Sequence, residues 1–159
     1  MTRTRRGFTL IELMVVVSIA VILMLVTLPG LTDKAVREQV AEALPLADIA
    51  KPAIELAWRA SQPLPADNAA AGLPAPDKIV NQRVQSVTVA SGAIHILFGP
   101  RAHKELTGKI LTIRPAGVED ARIVPVTWLC GNTAPPEKMA AQGQNRTDLP
   151  LKFLPARCR

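Results

Sequence analysis

Glu12 is the residue whose position most clearly asks for chemistry. It lies in an apolar run, residues 8–31, whose only other polar side chains are Thr9, Ser18 and Thr27. A carboxylate within a membrane helix costs about 2.5 to 3.5 kcal/mol, so it is kept where it is paired or put to use. Hydrolysis can create the partner. Gly7 is the small residue between the basic stretch carrying Arg3, Arg5 and Arg6 and the apolar run. A cut after Gly7 leaves the run whole and frees an amine on Phe8, four residues before Glu12 and on the same helical turn. The helix dipole favours a negative charge there too. A secretory signal has the opposite order, an apolar core of about 7 to 15 residues followed by a small-residue cut site. The competing account of Glu12 is an interfacial carboxylate at the membrane surface of an ordinary single-span protein.

Little else in the sequence suggests reaction chemistry. His95 falls opposite the apolar face of an expected strand and His103 in a basic loop, and neither has a cysteine, serine or carboxylate at triad or metal-site spacing. Both read as solvated histidines. Gly99-Pro100-Arg101 reads as a turn, and Asn145-Arg146-Thr147, which fits the N-glycosylation pattern, as a loop segment. No catalytic group, metal site or cofactor is expected, and the chain does not read as an enzyme.

The elements that must carry Glu12 follow from the hydropathy pattern. Residues 8–31 make about 24 helical residues at about 1.5 Å each, enough to cross a bilayer. The basic leader holds its end in the cytoplasm and sends the rest of the chain across. Loss of residues 1–7 takes three arginines with it, so the formal charge falls from +6 to +3. Pro29-Gly30 is expected to disturb the helix. Beyond it, Val36, Val40, Leu44, Ala47, Ile54 and Trp58 recur at spacings of three and four as the packing stripe of an amphipathic helix over residues 32–59. Asp33, Lys34, Arg37, Glu38 and Glu42 lie opposite. Pro45 and Pro52 predict a kink or short interruption near one of them.

Residues 60–82 form a connecting loop rich in Pro, Ala and Gly. Residues 83–90 and 93–98 read as strands joined at a Ser91-Gly92 turn, with Ile94, Ile96 and Phe98 on the core face. Residues 109–114 and 122–130 supply two more; in the last, Val124, Val126, Trp128 and Cys130 share one side and Pro125 marks an edge or a bulge. The expected fold class is α+β, four antiparallel strands against the outer half of a long helix.

Residues 6–13, Arg-Gly-Phe-Thr-Leu-Ile-Glu-Leu, resemble the class III leader junction of type IV prepilins and related pseudopilins. That resemblance implies cleavage after Gly7 by an aspartyl prepilin peptidase, N-methylation of Phe8, and a Glu12 that neutralises the amine of a neighbouring subunit as a filament grows. It also implies a ladle fold with a disulfide-bounded C-terminal region. The only cysteines, Cys130 and Cys158, lie on the exported side, where a disulfide is favoured over two free, buried thiols. Trp128-Leu129-Cys130-Gly131 and the ending Phe153-Leu154-Pro155-Ala156-Arg157-Cys158-Arg159 are similar to the corresponding region of type IVa pilins; type II secretion pseudopilins usually lack the pair. The implied organisation is leader 1–7, membrane and filament-core helix 8–31, amphipathic helix 32–59, loop 60–82 and sheet-bearing head 83–159.

The resemblance implies a structural subunit of a type IV pilus serving adhesion, twitching motility or DNA uptake. Its partners would be copies of itself, the prepilin peptidase, the inner-membrane assembly machinery and, before assembly, membrane lipid. The inner membrane would be its first location and the cell-surface pilus its last. Two other readings stand beside it: a type II secretion pseudopilin, and a minor pilin acting as a binding module. For the second, Lys138, Arg146, Lys152, Arg157 and Arg159 give the C-terminal region a bias towards phosphate and hence DNA, but the chain has no Tyr and only 3% aromatic residues for stacking on bases.

Overall fold

The computed structural model describes residues 7–159, with the side chains of residues 27–31 outside the description. The basic leader arginines Arg3, Arg5 and Arg6 lie outside the described residues. The chain divides between Ala35 and Val36 into two compact units.

In the first unit the dominant element is helix α1, Leu10–Ala43, which continues into the second. Thr9 precedes its first turn, and its carbonyl accepts the Leu13 N–H at 3.1 Å. The apolar side chains of residues 10–26 cover the helix on all sides and stay open; Leu10 is 77% exposed and Val21, among the least open, 50%. Among the described residues no helix is long and apolar enough to cross a membrane. The helix runs unbroken through Pro29 and Gly30, where a disturbance is expected from the sequence. One proline withholds one backbone hydrogen bond, and the turns on either side keep theirs.

The second unit holds the end of α1, the short helix α2 (Pro45–Asp48), α3 (Lys51–Arg59) and an antiparallel sheet. A single interruption was expected near Pro45 or Pro52; there is one at each. Pro45 takes the first position of α2 and Pro52 lies in the first turn of α3, positions whose N–H groups have no intrahelical acceptor in any case. The prolines thus start new helices, and the stripe survives the breaks: Val36, Val40, Leu44, Ala47, Ile54 and Trp58 are all buried.

The sheet has five strands instead of the four expected. β1 (Val84–Ala90), β2 (Ala93–Phe98), β3 (Ile110–Gly117) and β4 (Thr127–Cys130) lie in that order, and β5 (Ala140–Ala141) pairs with the far end of β3. β4 is shorter than the 122–130 expected. Pro125 has no N–H for a ladder, pairing begins only at Thr127, and Val124 is left exposed. At the β1–β2 turn Ser91 and Gly92 both take positive φ, 49° and 80°, the arrangement whose twist suits a two-residue hairpin. A Cβ on Gly92 would come within 2.5 Å of Leu64 Cδ1.

Ile94, Ile96 and Phe98 point into the core with Val36, Val40, Ile54, Leu106, Leu111, Phe153 and Leu154, each contributing about 1.5 to 3 kcal/mol when fully buried. The open edge of β1 is covered by the loop before it. The buried Asn68 side chain accepts the Val89 N–H at 2.6 Å and donates to Val87 O at 3.0 Å and Pro74 O at 3.1 Å.

Candidate functional site

At the start of α1, Thr9 and Glu12 form a reciprocal cap. The Glu12 N–H donates to Thr9 Oγ1 at 3.4 Å, and the Thr9 hydroxyl donates to Glu12 Oε2, also at 3.4 Å. This has the Thr-x-x-Glu spacing of a capping box, but only the Glu12 N–H of the first turn is served, the carboxylate taking the Thr9 hydroxyl instead of a second backbone N–H. The sequence reading gave Glu12 a partner on Phe8 and overlooked Thr9, although the three-residue spacing before an apolar run is itself the signal. Both contacts are long and exposed, so Glu12 is held in place but remains accessible. Gly7 and Phe8 precede the helix; Phe8 is 77% exposed, and a Cβ on Gly7 would meet nothing within 4 Å.

At the other end of the chain, Cys130 and Cys158 form a disulfide, with S–S 2.05 Å and a sequence separation of 28. The chain between them is anchored near its end by Leu149, Phe153 and Leu154 in the core of the head, and before that by hydrogen bonds. Thr133 Oγ1 donates to Cys130 O and lies 2.9 Å from Arg157 O, and Asn132 N–H donates to Cys158 O at 3.1 Å. The Gln142 N–H donates to Pro115 O at 2.8 Å, on the β2 side of β3. Thr147 Oγ1 then accepts the Thr112 N–H and Asp148 Oδ1 the Ile110 N–H, both on the β4 side. Residues 142–148 therefore cross the face of the sheet that carries His95 and Thr112.

That crossing corrects the reading of His95 as solvated. It is 5% exposed, with Nδ1 2.9 Å from Thr112 Oγ1. The same oxygen accepts the Arg146 N–H at 3.0 Å, leaving the hydroxyl proton for Nδ1 of a neutral imidazole. Burial, and secondarily the charge of Arg146, lower the His95 pKa to about 4. His103 is half-buried rather than solvated: its ring lies against Phe153 with centroids 6.3 Å apart, and its backbone N–H donates to Gln39 Oε1.

Asn145 is bound within the crossing segment, accepting the Thr147 N–H and donating to Asn132 Oδ1. Of the five basic residues of the C-terminal region, Lys152 lies over the Phe153 ring and Arg159 Nε donates to Leu154 O. Among the described residues no group of three or more His, Cys, Asp or Glu side chains converges on a metal position.

The two ends of the chain match known proteins separately and together. Residues 2–28 match the prokaryotic N-terminal methylation motif and residues 36–159 the pilin family, a bacterial filament family. Over its full length the chain is 33% identical to "Type IV major pilin protein PilE1" of Neisseria gonorrhoeae, covering 89% of that protein. It is 32% identical to a fimbrial protein of Neisseria meningitidis serogroup B, covering all of this chain and 96% of that one. It is also 32% identical to "Fimbrial protein EcpC" of Eikenella corrodens, over 99% of this chain and 92% of the relative. An apolar N-terminal helix, an antiparallel head and a C-terminal disulfide are thus found with a matching sequence along the whole chain, and the protein belongs to the pilin family. Within that family it is a type IV pilin, with the class III leader its N-terminal motif defines.

Proposed function

We propose that the chain is cut after Gly7, methylated on Phe8, and polymerised through its N-terminal helix into a type IV pilus, as a structural subunit without catalytic activity. The observation that carries this reading is the exposure of the apolar side chains of residues 10–26 in the single chain. A helix apolar on every side needs lipid or other protein around it. Lipid supplies that cover before assembly, with residues 8–31, whose side chains are described only as far as residue 26, as the anchor in the inner membrane, and neighbouring helices supply it in the extracellular filament. Glu12 is the one acidic side chain in that surface, and a new amine on Phe8 of a neighbour is the partner that removes its cost on leaving water.

Repeated contact between one surface and a different one on the next copy gives a fibre where the rotation between copies does not close a ring. The processing enzyme is a prepilin peptidase, and the polymer's partners are copies of this chain and the assembly machinery of the inner membrane. Mass spectrometry of filaments sheared from cells tests the reading. Peptides of this chain beginning at methylated Phe8 are expected to dominate; their absence from filaments, or an N-terminus at Met1, overturns it.

A further inference from the structure

A groove of about 420 Å³ opens in the second unit between α2 and β4. Its floor is apolar, with Leu44 and Ile113 buried and Trp128 half-buried, and its rim carries Asp48, Lys51 and Arg157. Lys51 is committed: its ammonium is 2.6 Å from Asp48 and 5.3 Å from the centre of the Trp128 ring. Arg157 is exposed and makes no ion pair among the described residues. The groove therefore combines an apolar floor, an aromatic wall and a net positive rim.

The loop between β3 and β4 has the opposite character. Ile123 at its tip is 88% exposed, the most open large apolar side chain of the molecule among the described residues. It is held there because the Arg122 guanidinium lies 4.8 Å from the centre of the Trp58 ring, and because the Val124 N–H closes a turn onto Ala121 O at 2.9 Å. Glu119 and Asp120 precede it, both exposed. Glu119 is engaged by Gln142 Nε2 at 3.4 Å, while Asp120 makes no ion pair among the described residues. One face thus offers a single apolar knob beside an unpaired carboxylate, and the other an apolar recess beside an unpaired guanidinium.

We infer that the two fit each other across copies of this chain: Ile123 of one subunit seats in the Leu44–Trp128 groove of the next, with Asp120 against Arg157. The contact joins unlike surfaces, so it repeats from copy to copy and runs on along a fibre wherever the rotation between copies does not close a ring. It rests on the filament-subunit reading and adds to it a contact between heads, distinct from the packing of the apolar helices. A lone buried aliphatic side chain is a small contact, but every subunit makes it twice, once as knob and once as hole.

The test uses full-length protein in cells. A chain carrying both Ile123→Cys and Asp48→Cys, treated on intact filaments with a short bismaleimide, should run as a ladder of dimers, trimers and longer species on denaturing gels. Single variants should stay monomeric, and so should an Asp48→Cys/Gln62→Cys control. Separately, Ile123→Asp should lower sheared-filament yield on the order of tenfold, with the membrane-held precursor pool unchanged. Filaments that form from the double-cysteine chain yet give no ladder above the control overturn the contact and leave the filament role standing. So does an Ile123→Asp chain that assembles like the unmodified one, which keeps the proposal testable if the double variant does not assemble. Absence of the unmodified chain from filaments overturns the subunit reading itself.

Discussion

Thr9 and Glu12 bind one another at the first turn of α1, hydroxyl to carboxylate and amide to hydroxyl, each at 3.4 Å. The carboxylate proposed to meet a neighbour's amine is therefore already occupied within its own chain. A helix cap of this kind stabilises by about 0.5 to 2 kcal/mol, a contact that a full charge can displace.

Two substitutions separate capping from charge pairing. Thr9→Ala should loosen the first turn while leaving the charge, speeding amide exchange at residues 10–13 of the detergent-solubilised chain, and Thr9→Ser should restore protection. Glu12→Gln keeps an acceptor for the cap but carries no charge, so it should retain that protection and still yield few filaments by electron microscopy. Abundant filaments from Glu12→Gln would remove the charge pair from the account.

The disulfide should contribute to the stability of the C-terminal region on the same scale as its buried anchors Phe153 and Leu154. Closing the loop between Cys130 and Cys158, a separation of 28, is worth roughly 3.5 kcal/mol on the chain-entropy account. Cys158→Ser should lower the unfolding temperature by roughly 10 °C and open residues 133–148 to protease. Cleavage of the leader should not change. A melting temperature equal to that of the unmodified chain would contradict this.

His95 should make the head acid-sensitive over a defined window. Its folded pKa of about 4 lies below the ordinary 6.5, so the unfolded chain takes the proton first. The stabilisation is complete above pH 6.5, is lost as pH falls from 6.5 to 4, and levels below that, for a total of at most about 3 kcal/mol. Carboxylates titrate in the lower part of the same range, so the readout is a comparison. His95→Gln, which can still bond Thr112, should lose less melting temperature between pH 7 and pH 4.5 than the unmodified chain. Parallel losses would mean that His95 contributes nothing.

Gly117 should tolerate no side chain. The Trp58 ring occupies the place of a Cβ at that position, with Arg122 stacked on the ring. Gly117→Ala should destabilise the head by about 1 to 3 kcal/mol and quench or shift the emission of the buried indole. Unchanged stability and emission would argue against a packing origin.

How much of this was legible depended on whether a residue's surroundings were local. Ile94, Ile96 and Phe98 alternate cleanly, and β2 was found to the residue. The stripe from Val36 to Trp58 was visible because helical spacing survives two proline-started breaks. The same alternation misled at Val124 and Val126, where Pro125 ends pairing that hydropathy alone would continue. β5 consists of two alanines opposite Ala116 and Gly117 and has no pattern to read. His95 looked solvated because its cover comes from residues about fifty positions later, polar ones that bind the sheet through Thr112 rather than through apolar contact. At the candidate site Gly7, Phe8 and Glu12 stood out by type and order, whereas Thr9 was passed over as one more hydroxyl.

The Asn68 side chain, set against Val87 and Val89, bears on how a filament-forming protein avoids the wrong filament. Subunits held at very high local concentration are at risk of joining sheet to sheet, and the risk sits at unpaired strand margins. On β1 the backbone donor and acceptor most open to a visiting strand are already answered by one carboxamide, and the same loop binds Ser91 and Gly92 at the strand's end. A newcomer strand would have to evict a buried amide before it could pair. The head can therefore be crowded against its copies with strand addition opposed at the β1 edge, and order along the fibre is left to contacts between side chains.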